Sequence, residues 1–183
     1  MIQTIRIGRL LRETAAAPYR NLVTRPTGAA VRSRIEETLA RSECLTAFLD
    51  FSEIELLDLS CADEVVAKLL LAHLIRETRF LVLQGLREDQ HEAIEHVLTH
   101  HRLAVAAVAL PGAGESGPRL LGWVTADARL AFACVCDHGP LSHQDLARRL
   151  AWSDARSQGT LQGLAVYRLV RPLGNLYHPL PFS

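Results

Sequence analysis

The chain contains no run of about 18 apolar residues, so no segment reads as a membrane-spanning helix. Its first residues, MIQTIRIGRLL, lack the long apolar core of a secretory signal. There is no excess of charge either. Twenty Lys and Arg balance twenty Asp and Glu, so no global field draws the molecule toward nucleic acid or a membrane, and any such binding needs a local patch. None of the four cysteines stands in a CxxC pair, which predicts reduced thiols in a cytoplasm rather than a zinc or disulfide framework. Internal repeats and low-complexity tracts are missing as well. What remains is a globular chain of 183 residues, enough for one domain or two small ones, each with its own core.

The most informative stretch is LTAFLDFSEIELLDLSCADEVVAKLLL, residues 45 to 71. Leu45 to Leu49 is an apolar run of strand length, followed by the acidic turn Asp50 to Glu53 and an apolar ramp from Ile54 to Leu57. Ala62, Val65, Val66, Leu69, Leu70 and His73 then recur at helical spacing. Ser60 reads as the helix N-cap, with Asp63 three residues on and Glu64 beside it in the first turn. A strand therefore delivers a hydroxyl to a helix N-terminus, an environment suited to phosphate.

This pattern resembles the STAS-like domain family over roughly the first 110 residues. In the related anti-sigma factor antagonists the matching turn reads Asp-Ser-Ser-Gly, and a kinase of the GHKL fold phosphorylates the second Ser. Ser60, two residues after Asp58, falls on that position, while Leu59 replaces the first Ser and Cys61 stands in place of Gly. The resemblance implies a mixed sheet with crossover helices. It also implies docking or phosphorylation at Ser60 with Asp58, Cys61, Asp63 and Glu64 around it, and a GHKL-type ATPase or kinase, or another regulatory protein, as partner.

The rest of the chain supports an α/β class. Ile2, Ile5 and Ile7 suggest a first strand, with Leu10 and Leu11 continuing the apolar signal. Thr27 is placed to cap a helix with Val31, Ile35 and Leu39 on one face. Phe80 to Leu83 reads as a strand, and residues 87 to 101 as a helix with Ile94, Val97, Leu98 and His101 inward. Leu103 to Leu110 fits a buried strand or a helix segment equally. The alternation predicts a parallel or mixed sheet with crossover helices.

PGAGESGP, residues 111 to 118, reads as a linker between a domain of residues 1 to 110 and a second of residues 119 to 183. In the second, Leu120 to Val124 suggests a short strand and Thr125 caps a helix to about Asp137. Ser142 and Asp145 form a capping box with a Leu141–Leu146 staple, and a third helix runs from Asp154 to about Leu164. Val166 to Val170 and Leu176 to Leu180 suggest a hairpin around residues 172 to 175. From about Ala126 to Leu180 this order resembles a small winged-helix (α+β) domain. The resemblance implies double-stranded DNA contacts from Arg148, Arg149, Arg156, Ser157, Gln158, Gln162, Arg168 and Arg171, the third helix lying in the major groove and the hairpin on phosphate or in the minor groove.

Enzymatic chemistry is the competing class. Glu92, His96 and His100 share a helix side at metal-ligand spacing, and Cys134, Cys136 and His138 invite a thiol reading, although Cys134 and Cys136 point to nearly opposite helix faces. An exposed polar face and buried small hydrophobes account for both groups more economically. The sequence thus predicts a non-enzymatic regulator with no cofactor, no metal and no membrane partner. A DNA-binding regulator is the main alternative, a metal- or thiol-dependent hydrolase the weaker one, and a homodimer is left open.

Overall fold

The computed structural model describes residues 2–76, 79–110, 112 and 117–181. Five strands form the central sheet: β1 (Ile2–Arg6), β3 (Thr46–Asp50), β5 (Phe80–Gln84), β6 (Ala104–Val108) and β7 (Arg119–Gly122), in that spatial order. The first four are parallel and β7 runs antiparallel to β6. A two-residue parallel pair, β2 (Asn21–Leu22) with β4 (Leu56–Leu57), lies outside it. The class is α/β with a mostly parallel mixed sheet.

The strand order explains which face each helix covers. From β1 to β3 to β5 to β6 the chain always steps in the same direction. Right-handed crossovers then place every connecting helix on one face. Those helices are α1 (Ile7–Ala15), α2 (Arg25–Ala40), the rod α3 (Leu59–Ala62) through a π-helical stretch at Asp63–Lys68 into α4 (Leu69–Arg76), and α5 (Glu88–His100). Their apolar residues share one core with the sheet residues Ile5, Ala47, Leu49, Leu81, Leu83, Val105, Ala107 and Leu121. Alternate strand residues, Phe48, Phe80, Val82, Ala104, Ala106 and Leu120, point to the other face by the two-residue pleat. That second face is covered by α6 (Ala126–His138), α7 (His143–Leu150), α8 (Asp154–Val166) and the hairpin β8 (Arg171–Leu173) with β9 (Leu176–His178).

Several expectations are corrected here. The first strand ends at Arg6 and the chain turns straight into α1, whose Ile7, Leu10 and Leu11 are buried. Thr24, not Thr27, precedes α2, with Pro26 in its first turn. Residues 103 to 110 resolve to the strand β6. The expected linker falls largely on residues 111 and 113–116, outside the described residues. Residues 119 to 122, assigned above to a second unit, pair with β6 in the main sheet, and the helices that follow pack on that sheet. The last helix continues to Val166, so the first hairpin strand lies at Arg171–Leu173 rather than 166 to 170. The capping box of Ser142 and Asp145 is present, as is the Thr125 cap.

Polar clasps hold the first layer in register. The Arg79 guanidinium donates to the Leu39 and Ser42 carbonyls at 2.8 and 2.7 Å, clasping the end of α2 and the turn just past it. His73 is buried and donates from Nε2 to the Arg79 carbonyl at 2.6 Å. Across the sheet, Arg168 donates to the His73 and Leu74 carbonyls at 3.0 and 3.1 Å, tying the end of α8 to the end of α4. Among the described residues, no helix is long and apolar enough to cross a membrane.

Candidate functional site

The start of the rod is fixed by Asp58, which is the true N-cap. Its Oδ1 accepts from the Cys61 amide at 2.7 Å and from the Ser60 hydroxyl at 2.9 Å. Its Oδ2 accepts from the Thr24 amide at 3.0 Å, joining the starts of α2 and α3. Burial works against the Asp58 charge. Hydrogen bonds from Thr24, Cys61 and Ser60 together outweigh it and hold the carboxyl below the usual range. Ser60 was expected as the cap. It sits instead within the first helical turn, half-buried, with its hydroxyl turned back onto Asp58.

The two helices approach closely because Gly28 carries no side chain. A Cβ there would stand 3.0 Å from the Glu64 Cβ and 3.1 Å from the Cys61 Cα. This contact buries Cys61 completely, with its thiol donating to the Thr24 carbonyl at 3.0 Å. Burial, reinforced by Asp58, pushes that thiol up to about 12, so it is an inert core group. Cys61 was expected at the docking site and is fully buried.

Glu64 was expected there too, and it is 2% exposed. Around it converge Arg25 at 2.9 Å, Arg32 at 3.4 Å and Lys68. Asp63 beside it pairs with Arg25 at 2.7 Å and with His101 Nε2 at 2.7 Å. Burial opposes both charges, but the Lys68 and Arg25 contacts on Glu64, and those of Arg25 and His101 on Asp63, hold both carboxyls below their ordinary values. The π-helical stretch begins at these two acids, and widened turns of this kind occur frequently at functional sites.

In front of the network lies a cleft of about 510 Å³ lined by Arg25, Leu59, Ser60, Asp63 and, from α5, His96, Val97, His100 and His101. His101 was expected inward with Leu98. It lies just past the helix end, where the backbone (φ −85, ψ 0) leaves helical geometry and its ring reaches Asp63. The α5 histidines and Ser60, unconnected in sequence, therefore share one cavity. Leu59, on its lining, is an apolar side chain about half exposed, and Leu56 on β4 is exposed to the same degree. Sequence reasoning missed both. The available signal was Leu59, an apolar residue outside the buried stripe of the rod.

Among the described residues, no group of three or more His, Cys, Asp or Glu is placed to hold a metal ion. Glu92, His96 and His100 lie on the exposed side of α5. Cys134 is buried, and burial raises its thiol; Cys136 is pushed by burial up to about 12. Neither environment favours a thiolate nucleophile.

The residues expected to meet DNA are divided. Ser157 is fully buried on the inner side of α8 and cannot reach a groove. Arg156 grips Asp127 through two bonds of 2.7 and 2.8 Å, its guanidinium lying 4.3 Å from the Trp152 ring centroid. Arg168 is the clasp on α4, and Arg148 pairs with Asp145. Arg171 is partly buried in β8. Arg149, Gln158 and Gln162 remain exposed. No family model, no curated protein and no solved structure matches the chain.

Proposed function

We propose that this chain is a non-enzymatic regulatory protein of the cytoplasm. Its STAS-like first part docks a partner protein at the mouth of the rod, the partner being a GHKL-type ATPase or kinase, and modification of Ser60 switches the contact. One observation carries this reading. A half-buried serine hydroxyl stands at a helix start, in a cleft that also bears Arg25, three histidines and the half-exposed Leu59. Apolar anchors rimmed by polar groups are the chemistry of a protein contact.

The geometry also suggests how a switch works. A phosphoryl group on Ser60 would bring a charge near minus two against the Asp58 carboxylate, now 2.9 Å from the hydroxyl. Like charges at that range repel, so Asp58 loses its grip on one or both helix starts. Phosphorylation and helix capping are thereby opposed at one carboxylate. The test incubates the protein with a GHKL-type ATPase and ATP, then maps phosphate by mass spectrometry and binding by titration. A phosphate on Ser60, with binding altered in Ser60→Asp, is expected. An unmodified Ser60 together with unchanged binding by Ser60→Ala, Ser60→Asp and Leu59→Asp overturns the proposal.

A DNA-binding reading rests on a different observation. Helices α7 and α8 meet at a tight turn with Ala151 at φ +52, and the β8–β9 hairpin follows, the order of a winged helix. On that reading Arg149, Gln158 and Gln162 supply the free contacts. Gel shifts across a salt series decide it, since phosphate binding by even a few arginines weakens steeply with salt. No retardation at low salt removes it.

A further inference from the structure

A second recess, of about 390 Å³, lies on the opposite side of the sheet from Ser60, between β6, the start of α6 and α8. We propose that it is a binding site for an uncharged, planar, mostly apolar small molecule. Its size falls in the range of small-ligand pockets. Its floor is core: Ala104, Leu164 and Leu169 are each at most 3% exposed. Its wall offers two aromatic side chains, Trp123 and Tyr167. Trp123 is 54% exposed, an unusual placement for a large apolar ring that faces a cavity.

The charge on the recess's own lining is already matched, and the Arg102 guanidinium stands outside that lining, 6.0 Å from the Trp123 ring centroid. Asp127 is the one carboxylate or basic side chain on the recess wall, and both of its oxygens are held by Arg156. A charged occupant would meet no free counter-ion among the lining side chains, whereas an uncharged one needs none. Two hydroxyls give polar anchoring. Thr125 accepts from the Ala128 amide and keeps its own proton to donate. Thr160 donates to the Arg156 carbonyl and keeps lone pairs to accept. An aromatic ring stacked on Trp123, with one donor and one acceptor group, matches this set.

Helix α8 supplies the opening. Gly159 and Gly163 stand one turn apart inside it, and a Cβ at either position would find no atom within 4 Å. Glycine in a helix interior costs about 1 kcal/mol relative to alanine. Neither glycine is needed for close packing or for a positive φ, so the pair leaves the recess unfilled at a cost to the helix.

The test uses N-phenyl-1-naphthylamine, an uncharged aromatic fluorophore, titrated into the full chain. Saturable one-site binding is expected. Gly163→Leu and Gly159→Leu, which fill the space, should weaken it at least about tenfold, or about 1.4 kcal/mol, while the melting temperature holds or rises. Amide shift mapping on the unaltered protein should centre on residues 123–125 and 159–163. No saturable binding, shifts centred elsewhere, or undiminished binding by a folded Gly163→Leu variant overturns the proposal. So does a concentration-dependent dimer that Gly163→Leu dissociates, because the occupant is then a second copy of the chain.

Discussion

The two faces of the sheet are built from different materials. On the first face the covering helices bury a carboxylate, Glu64, together with His73, Gln90 and His91. Second-face helices bury one polar side chain among the described residues, Ser157. Two arginines of α2, Arg25 and Arg32, reach Glu64 and tie α2 to the rod, with the rod's own Lys68 completing the network. By contrast, α6, α7 and α8 grip the sheet through Phe132, Val135, Leu146, Leu161 and Leu164. Apolar packing tolerates substitutions of similar volume, whereas a buried ion network demands particular partners in one geometry. The candidate docking cleft lies against the demanding face. The apolar face carries the open recess.

The comparison breaks most severely if the faces are separable. A chain cut after residue 112 would leave Phe48, Phe80, Val82, Ala104 and Ala106 bare, a face that water will not tolerate. Loss of cooperative folding is expected by urea titration; a sharp transition in the fragment would show that the first face suffices alone. Next in size come two matched truncations, Phe51→Ala and Phe132→Ala, each removing a ring at most 2% exposed from one face. Each should cost about 3–5 kcal/mol. Both should shift a single common transition, and two separate transitions in either variant would divide the molecule.

Asp58→Ala should cost about 0.5–2 kcal/mol, since it removes an N-cap together with the link to the Thr24 amide. A loss below that range in chemical denaturation would mean that Ser60 takes over as the cap. Acid sharpens the contrast further. Asp63 and Glu64 have folded-state values below their unfolded 3.8 and 4.5, so the stability they contribute is complete above about pH 4.5 and is lost as pH falls through the lowered values. Melting temperature should therefore drop in acid, and Glu64→Gln should flatten that drop. An unchanged acid limb would remove the network from the stability of the first face. The smallest effect on folding belongs to Leu59→Ser, which alters an exposed side chain and should change stability by about 0.5 kcal/mol or less while weakening docking.

Parts of this were legible in the residues. Strands β3 and β5 are buried on both sides, so their unbroken apolar runs identified them without alternation. The i, i+4 spacing of Val31, Ile35 and Leu39 placed α2, and all three are buried. Helix α1 escaped notice because it follows β1 directly and Arg6 offers no side-chain cap. Asp58 and Ser60 are both good capping residues, and the choice between them is made by the Thr24 amide, 34 positions away. His101 obeyed helical spacing one residue beyond the point where the helix ended. Strand β7 could be recognised as a strand. Its membership in the main sheet depends on pairing with β6 across an intervening segment, which periodicity does not encode.

The Arg168 clasp has a mechanical meaning. The rod that follows the Asp58 cap is gripped near its far end, at the His73 and Leu74 carbonyls, from the other side of the sheet. It behaves as a beam pinned at two supports: it can neither slide along its axis nor pivot at one end without loading the opposite anchor. A displacement of the rod at Asp58 would therefore load Arg168, three residues before the C-terminal hairpin.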